Sequence, residues 1–499
     1  MSLAIVYSRA RCGMDAPLVT VEVHLSNGLP SLSIVGLPET AVRESKDRVR
    51  GAILNSQFDF PARRITINLA PADLPKDGGR FDLPIALGIL AASRQIPADG
   101  LPDYEFAAEL ALSGELRGVQ GILPMTLKTA DAGRTVVVPQ VNADEATLVG
   151  SARVLACRHL LDITGHLTGT LQLEPGTARR TDSGCPAHPD LADVRGQHHA
   201  RRALEIAAAG GHSLLMIGPP GTGKSLLATR LPGILPPLDE AEALEVAAIA
   251  SVTGRPVDSK RWRLRPFRAP HHTASAVALV GGGSSPRPGE ISLAHHGVLF
   301  LDELPEFERR VLEVLREPLE TGRILISRAA RQAEYPARFQ LVAAMNPCPC
   351  GWLGDSSDRC RCTLEQVERY RKRISGPLLD RIDMHVEVPR LSFDEMNGRR
   401  GERSADVRNR VIATRKIQLQ RNNTLNSQLD NRQLDETCPL ENNDQAFMET
   451  AMEKLQLSTR AFLRILKLAR TIADMERSAD IQSQHLGEAI HYRTLDRSL

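Results

Sequence analysis

The fold is decided by one stretch of the sequence, Gly218-Pro219-Pro220-Gly221-Thr222-Gly223-Lys224-Ser225. The apolar residues 213–217 before it predict a buried strand, and residues 226–231 after it predict a helix. In that setting the glycines let backbone N–H groups face phosphate oxygens, Lys224 adds a positive charge and the Ser225 hydroxyl can ligate Mg²⁺. The order of strand, loop and helix favours a nucleotide site over a chance glycine-rich turn.

An acidic motif follows further along the chain, where the apolar residues 297–301 lead into Asp302 and Glu303. Beside a phosphate loop, Asp302 would hold Mg²⁺ through its water shell, and Glu303 would polarise the attacking water as a general base. The alternative is a buried strand with acidic residues at its exposed end. Downstream of a phosphate loop, the double acid indicates hydrolysis of the nucleotide and not binding alone.

Two more polar residues complete the predicted site. Asn346 follows the apolar residues 339–345 and can orient the attacking water against the γ-phosphate. Arg381 lies in a short predicted helix and can stabilise transition-state charge on a phosphate held by a neighbouring subunit. The alternatives are structural, with Asn346 as a strand cap and Arg381 paired to Asp380 or Asp383.

These four motifs, in this order and spacing, resemble those of the AAA+ ATPases. Four longer strings narrow the resemblance: RPFRAPHHT at 265–273, PGEISLAH at 288–295, FLDELPEF at 300–307 and RISGPLLDRID at 373–383. They are similar to the magnesium-chelatase-like family called ComM or YifB, and the resemblance runs essentially from end to end. It implies a hexameric bacterial motor that uses ATP and acts as a DNA branch-migration helicase in natural transformation.

The resemblance also assigns residues that flank the nucleotide. Val194 and Gln197 belong to a segment similar to the one that closes over adenine in the family. Arg460, after the cap signal Ser458 of a helix predicted over residues 457–473, stands where the sensor-2 arginine falls. Arg464, one turn further along, is predicted to be a solvated helix residue.

The chain is predicted to be an α/β protein with three units and one linker. The predicted bounds are an α+β unit over 1–173, a linker over 174–189, a P-loop AAA+ core over 190–389 and a helical lid over 390–499. Within the first unit, the apolar patterns predict strands over 19–25 and 64–69 and helices over 38–54 and 83–92.

Two segments of the first unit, residues 75–84 and 116–123, resemble the catalytic segments of Lon-type (S5) proteases. Arg80 stands where the nucleophilic serine would be, and Leu123 stands where the lysine would be. Without an activated nucleophile no acyl-enzyme can form. We therefore expect a Lon-like fold that serves assembly or substrate contact and does not cleave peptides.

Four cysteines form two close pairs, with Cys348 and Cys350 in one and Cys360 and Cys362 in the other. Four thiolates can surround Zn²⁺ tetrahedrally, although the spacing within each pair is tighter than in most zinc sites. Reduced thiols in an ordered loop are the alternative. We predict a structural zinc site, and we expect the other cysteines to be ordinary thiols: Cys12, Cys157, Cys185 and Cys438.

Candidate DNA contacts lie in a hairpin predicted over residues 320–332, which carries Arg323, Arg328 and Arg331. In helicase-type AAA+ rings such insertions line the pore, and the glycine-rich loop over 280–285 is placed similarly. Arginines there would bind phosphates without reading the base sequence. A solvated hairpin is the alternative. The adjacent histidines at 271–272 and 295–296 are predicted to serve loop packing or subunit contact and not metal binding.

Composition limits the classes of protein that fit. A net charge of +2 does not by itself indicate a nucleic-acid partner, and 4% aromatic residues offer few platforms for base stacking. The first residues lack a signal-peptide pattern, and no apolar run is long enough to span a bilayer. We therefore expect a cytoplasmic protein without a membrane partner, whose cysteines are thiols or metal ligands.

The sequence thus predicts a cytoplasmic homo-hexameric ATPase that uses ATP and Mg²⁺, carries Zn²⁺ and moves on single-stranded or branched DNA. Two other classes stay open. One is a chelatase-like motor that remodels a partner enzyme, and the other is an ATPase that remodels proteins or regulates a protease. ATPase rates measured with and without DNA distinguish these classes.

Overall fold

The computed structural model describes residues 3–176, 188–255, 261–283, 286–328, 331–355, 359–398 and 400–493, without the side chains of Thr40, Ala41, Arg328 and Arg331. Most of the predicted linker, Cys185 and residues 284–285 of the glycine-rich loop lie outside the described residues. The chain forms two compact units. The first comprises Met1–Cys185, Glu240–Trp262 and Ser327–Glu334, and the second comprises Pro186–Asp239, Arg263–Ile326 and Tyr335–Leu499.

The described part of the first unit contains nine strands before residue 186: β1 (Leu3–Arg9), β2 (Leu18–Ser26), β3 (Ser31–Val35), β4 (Arg64–Ala70), β5 (Tyr104–Phe106), β6 (Glu109–Leu110), β7 (Leu116–Arg117), β8 (Thr135–Pro139) and β9 (Val154–Cys157). Seven of them form one mixed sheet in the order β3-β4-β2-β1-β5-β8-β9. In β2 every second residue is buried, which is the pattern of a strand with one face on the core. The strands predicted over 19–25 and 64–69 are confirmed as β2 and β4.

Seven described helices belong to the same unit: α1 (Thr40–Arg43), α2 (Ser45–Asn55), α3 (Asp82–Ala92), α4 (Ile122–Asp131), α5 (Ala143–Ala146), α6 (Leu160–Leu167) and α9 (Glu240–Val252). The helix predicted over 38–54 is two helices, and the Ser45 hydroxyl donates to the Val42 carbonyl oxygen at 2.7 Å where the chain turns between them. The second predicted helix is confirmed as α3, which is buried along its whole length. Gly88 lets α3 lie close to the sheet, since a Cβ there would be 2.5 Å from a Val23 methyl.

The place of the absent protease dyad is filled by structural contacts. Arg80 is buried and donates hydrogen bonds to the carbonyl oxygens of Arg9 and Gln120. Burial lowers the pKa of Arg80 to about 10, so it remains cationic at neutral pH. Leu123 is buried in an apolar cluster with Ala247 of α9. Neither side chain can serve as nucleophile or base, and the likeness to Lon proteases stays a prediction.

The strands after residue 186 are β10 (Leu214–Ile217), β11 (Phe267–Arg268), β12 (Gly281–Gly282), β13 (Arg287–Pro288), β14 (Val298–Leu301), β15 (Arg323–Arg328), β16 (Arg331–Pro336), β17 (Gln340–Met345) and β18 (Met384–Glu387). Five of them form a sheet in the order β11-β14-β17-β10-β18, and every pair in it is parallel. The predicted α/β core is thereby confirmed. Its carboxyl edge collects the ends of β10, β14 and β17, which is where ligands bind in such sheets.

The second unit also contains fourteen described helices: α7 (His198–Gly210), α8 (Lys224–Ile234), α10 (Ala276–Val280), α11 (Glu290–Leu293), α12 (Arg309–Glu313), α13 (Arg316–Thr321), α14 (Leu364–Arg371), α15 (Gly376–Leu379), α16 (Phe393–Asn397), α17 (Ser404–Asn422), α18 (Asn431–Thr437), α19 (Asn442–Leu455), α20 (Thr459–Met475) and α21 (Ser483–His491). The predicted helical character of the C-terminal region is confirmed. Ser458 caps α20 by accepting a hydrogen bond from the Ala461 N–H at 3.2 Å.

A buried carboxylate joins the sheet to α20. Asp383 accepts hydrogen bonds from the Ser213 N–H at 2.8 Å and the Ser213 hydroxyl at 2.9 Å, and it pairs with Arg464. Burial opposes its ionisation, but the charge of Arg464 and the hydrogen bonds from Ser213 hold the pKa of Asp383 well below its usual range. The expectation that Arg464 is a solvated helix residue is therefore wrong.

In the described part of the chain, no helix is both long enough and apolar enough to cross a membrane.

Candidate active site

The predicted phosphate loop, residues 218–223, connects β10 to α8 at the carboxyl edge of the sheet. Gly221 and Gly223 have φ angles of +78° and +94°, a region that side chains other than glycine rarely adopt. At Gly218 a Cβ would lie 2.1 Å from the Val388 carbonyl oxygen. The curled loop that would receive phosphate oxygens therefore depends on these three glycines.

Lys224 lies inside the loop at the start of α8. Its ammonium donates to the carbonyl oxygens of Gly218 at 2.6 Å and Pro219 at 2.8 Å, and to Asn346 Oδ1 at 3.2 Å. Burial lowers the pKa of Lys224, while the charges of Asp302 and Glu303 oppose that shift. The structure thus brings together the lysine and the amide that the sequence placed after two different strands.

Ser225 and Asp302 meet across the same edge. The Ser225 hydroxyl donates to Asp302 Oδ2 at 2.6 Å. Neighbouring corners of an octahedron with Mg–O distances of about 2.1 Å lie roughly 3 Å apart. One hydroxyl and one carboxylate at this separation fit two adjacent positions around Mg²⁺, taken directly or through water, so the donor set suits the predicted ion.

Glu303 is oriented by its backbone and by a histidine. Its φ of +52° is left-handed, and its N–H donates to Asp302 Oδ1 at 2.9 Å. His272 Nδ1 lies 3.2 Å from Glu303 Oε2. His272 follows β11 and Glu303 follows β14, and these two strands are neighbours in the parallel sheet. A prediction of that strand order would have placed the two residues close together. Sequence reasoning assigned His272 to packing and missed this contact.

The predicted adenine segment reaches the phosphate loop through Gln197. Its side-chain amide donates to the Pro389 carbonyl oxygen at 2.7 Å and the Thr222 carbonyl oxygen at 3.3 Å. Val194 is buried in the apolar core of the second unit. The amide therefore fixes the end of this segment against the loop, and the contact with adenine stays a prediction for both residues.

The two predicted arginines of the site are placed differently. Arg381 is buried, donates to the Pro377 carbonyl oxygen at 2.7 Å and pairs with Glu320 at 2.6 Å. Its partner is therefore neither Asp380 nor Asp383, the two residues that sequence reasoning considered. Arg460 is exposed on the first turn of α20. Their roles in catalysis stay predictions.

The four paired cysteines come together directly after Asn346. Their sulfur atoms all lie within 4.8 Å of one another, and the separations from Cys348 are 3.3 Å to Cys350 and 3.8 Å to Cys360. A tetrahedral zinc with Zn–S distances of about 2.3 Å requires S–S distances of roughly 3.8 Å. The four sulfur atoms therefore fit Zn²⁺, which would be held by Cys348, Cys350, Cys360 and Cys362.

The cysteine cluster packs against the nucleotide loop. Gly351, in the turn after Cys350, approaches so closely that a Cβ would lie 2.8 Å from Pro220 Cδ. Arg371 of α14 donates to the Pro347 carbonyl oxygen at 3.3 Å, which anchors the segment between Asn346 and Cys348. The cluster thus supports both Asn346 and the phosphate loop from one side.

The predicted hairpin is present as β15 and β16, which pair with each other. Arg323 is exposed at its base. The side chains of Arg328 and Arg331 lie outside the described residues. Residues 327–334, the outer part of the hairpin, group with the first unit. The contacts of these arginines with DNA stay a prediction.

Comparison with protein families matches most of the chain to magnesium chelatase. A model described as magnesium chelatase, subunit ChlI, matches residues 190–396, and one described as subunit ChlI of Mg-chelatase matches residues 21–142. A third, for the C-terminal part of subunit ChlI, matches residues 401–493.

Full-length similarity is found with several bacterial proteins. Identity is 52% to the competence protein ComM of Haemophilus influenzae, over 100% of this chain and 99% of that protein. It is 53% to the uncharacterized protein YifB of Salmonella typhimurium, over 100% and 98% of the two chains. A weaker similarity of 23% joins 50% of this chain to 74% of the magnesium-chelatase 38 kDa subunit of Rhodobacter capsulatus.

Two substitutions test the roles of Lys224 and Glu303. Lys224→Ala removes the ammonium at the phosphates and should abolish nucleotide binding. Glu303→Gln keeps the shape of the side chain but removes the base, so nucleotide should still bind while hydrolysis slows by about 10²–10⁴-fold. Binding of a fluorescent ATP analogue and release of phosphate measure the two effects. Glu308→Gln, an exposed acid nearby, should leave both unchanged, and normal turnover by Glu303→Gln would refute its assignment.

Proposed function

Because the chain belongs to the ComM and YifB family of magnesium-chelatase-like proteins, we propose that it is an ATP-hydrolysing AAA+ motor that drives branch migration of DNA. In this proposal it works in the cytoplasm as a homo-hexamer and aids recombination during natural transformation. The observation that carries the proposal is the meeting of Lys224 with Asn346 and of Ser225 with Asp302 at one edge of a parallel sheet.

The ATPase part rests on that geometry. The loop offers backbone N–H groups and an ammonium to phosphates, and Ser225 and Asp302 offer oxygens to Mg²⁺. Glu303 stands beside Asp302, where a carboxylate can take a proton from the attacking water. Bound Mg²⁺ would supply the charge that neutralises the β- and γ-phosphate oxygens.

The DNA part rests on the relative named competence protein ComM and on the hairpin of β15 and β16. Uptake of DNA in competent cells creates a need for strand exchange, which a DNA motor would serve. Arg323, Arg328 and Arg331 give the hairpin three positive charges that can bind phosphates of any base sequence. Such contacts suit a motor that has to move along DNA.

A second candidate is a chelatase-like or protease-regulating ATPase that remodels a protein partner. The similarity to the 38 kDa subunit of magnesium chelatase favours this class. Its ATPase rate would respond to a partner protein and not to DNA. Wild-type ATPase rates without DNA and with single-stranded, duplex and forked DNA separate the two functions.

The hexamer part rests on Arg381. Arg381 lies two residues after the end of α15 and has no phosphate of its own chain assigned to it, and in AAA+ rings this position serves the neighbouring subunit. In the structure it is paired with Glu320 and buried in its own chain. Action on a neighbour therefore requires assembly and a change in that ion pair.

The zinc part rests on the four converging sulfur atoms. Cysteine thiolates in a tetrahedral set with no open position are typical of a structural site. Zn²⁺ there would fix the turn that carries Gly351 and so maintain its contact with Pro220. The metal would thereby stabilise the loop around the nucleotide without touching it.

Removal of the hairpin charges tests the DNA contacts. In Arg323→Ala/Arg328→Ala/Arg331→Ala, DNA affinity should fall about equally for all sequences, and the slope of log affinity against log salt should become shallower by roughly one for each phosphate-binding arginine removed. ATP binding should persist, while DNA-stimulated ATPase and fork movement should fall together. Fluorescence anisotropy over a salt series measures the slope.

The matched control removes three exposed cations that pair with acids on their own helices: Arg369, Lys372 and Arg432. Its DNA affinity should change less than that of the hairpin variant. An unchanged affinity and salt slope in the hairpin variant would exclude the hairpin as the DNA contact.

Mixed rings test whether Arg381 acts between subunits. Arg381→Ala subunits and Lys224→Ala subunits should each be inactive alone, and a mixture should regain activity at interfaces where an intact Arg381 faces an intact Lys224. A trans-acting arginine contributes about 10³–10⁵-fold to the rate. ATPase is measured across a mixing series with mixed assembly verified by native mass spectrometry. Absence of rescue in verified mixed rings would contradict the assignment.

Metal analysis tests the cysteine site. Protein purified without added zinc should contain about one equivalent of Zn²⁺ per chain, and Cys350→Ser should lower that content. Cys12→Ser, which changes an exposed cysteine elsewhere, should leave it unchanged. Metal-free protein that is folded and fully active would rule out a structural zinc.

A further inference from the structure

One ion pair connects the base of the hairpin to Arg381. Glu320 lies in the last turn of α13, which ends at Gly322 with a left-handed φ of +67°. The Ala337 N–H donates to the Gly322 carbonyl oxygen at 2.8 Å and closes the hairpin at this point. Glu320 is therefore set in a short segment whose position is fixed by the hairpin that follows it.

A hydroxyl makes that segment stiffer. Thr321 Oγ1 accepts a hydrogen bond from the Arg323 N–H at 3.2 Å, and its one O–H can donate to the carbonyl oxygen of Glu317 at 3.0 Å or of Arg323 at 3.1 Å. The end of α13 and the start of β15 are thus bonded to each other through one side chain. A displacement of the first hairpin residue would be transmitted to Glu320.

Arg381 depends on Glu320 for its charge balance. The Arg381 side chain is 9% exposed and the Glu320 side chain is 51% exposed, with 2.6 Å between Nη2 and Oε1. The other hydrogen bond is to the Pro377 carbonyl oxygen, and among the described residues the buried Nε has no hydrogen-bond partner. Glu320 is accordingly the carboxylate that keeps this guanidinium within its own subunit.

We propose that Glu320 is a positioning residue that withholds Arg381 from the neighbouring subunit's phosphate until the hairpin binds a polyanion. This inference rests on the proposed function. A carboxylate paired with Arg381 neutralises part of its charge and holds the side chain at Glu320, so the same guanidinium stabilises less charge on a neighbouring phosphate. Binding of nucleic-acid phosphates to the hairpin would shift the end of α13 and release Arg381.

One partner of the pair is open to solvent, which suits such a role. The Arg381 side chain is buried, but half of the Glu320 side chain is exposed, and an ion pair with one solvated partner is weaker than a fully buried pair. A triphosphate with Mg²⁺ at a subunit interface offers a stronger acceptor than one half-exposed carboxylate. The pair is thus weak enough to break when the hairpin moves and strong enough to bias the resting state.

The test uses Glu320→Gln in the full-length chain, with Glu317→Gln, an exposed acid on the same helix, as its control. ATPase without DNA should rise about two- to fivefold in Glu320→Gln, the range expected for loss of an ion pair whose carboxylate is half exposed. The ratio of DNA-stimulated to basal rate should fall. The basal ATPase rate should not rise in the double variant Glu320→Gln/Arg381→Ala, and Glu317→Gln should have the ATPase rates of the wild type.

A second measurement does not depend on ATPase activity. Phenylglyoxal labels accessible arginines, and mass spectrometry of the peptide that contains Arg381 gives its rate of modification. Labelling of Arg381 should be faster in Glu320→Gln than in wild type and unchanged in Glu317→Gln. An unchanged or lower basal ATPase rate in Glu320→Gln, or unchanged labelling, would overturn the inference. If DNA does not change the ATPase rate of the wild type, the proposed DNA function fails. The basal ATPase rate of Glu320→Gln and the labelling of its Arg381 still decide the role of Glu320.

Discussion

A buried carboxylate, Asp383, is the interaction on which the second unit depends. It receives hydrogen bonds from Ser213 at the entry to β10, precedes β18 and pairs with Arg464 of α20. Because burial penalises an unpaired charge so strongly, these three elements have to keep their places around it. The phosphate loop begins at the far end of β10, and Arg381 lies two residues before Asp383, so Asp383 helps to position both the loop and Arg381.

The part of the site that could be predicted from sequence is the part encoded locally. Short stretches of sequence contain these patterns: glycines with positive φ, a lysine at the start of a helix and polar residues after apolar strands. The parallel sheet then brings these residues to one edge. Glu320 and His272 escaped prediction because each acts through a partner distant in the sequence, Arg381 and Glu303 respectively. Arg464 was predicted to be a solvated residue because helical periodicity shows which residues share a face of α20 but not which side chains lie opposite them. The side chain opposite Arg464 is the buried Asp383.

The fold was predictable to a similar extent. The alternation of apolar and polar residues located β2 and β4, and a continuous run of apolar residues located α3. The break between α1 and α2 was missed because the apolar residues keep a helical spacing across it, and that spacing does not show a local turn of the backbone at Glu44. The placement of α9 was also out of reach. Its sequence predicts only an apolar helix, whereas its neighbours Leu123, Leu148 and Val149 come from a segment about a hundred residues earlier.

That placement of α9 has a consequence for biosynthesis. The Ser251 hydroxyl accepts the Leu123 N–H at 3.3 Å, and Ala247 and Ala248 cover the apolar cluster beside α4. A nascent chain that has emerged only to residue 173 lacks this cover and presents the cluster to water. The first unit can therefore complete this cluster only after the ribosome has released the phosphate loop and α8, so its last apolar surface is covered by a segment made after the start of the second unit.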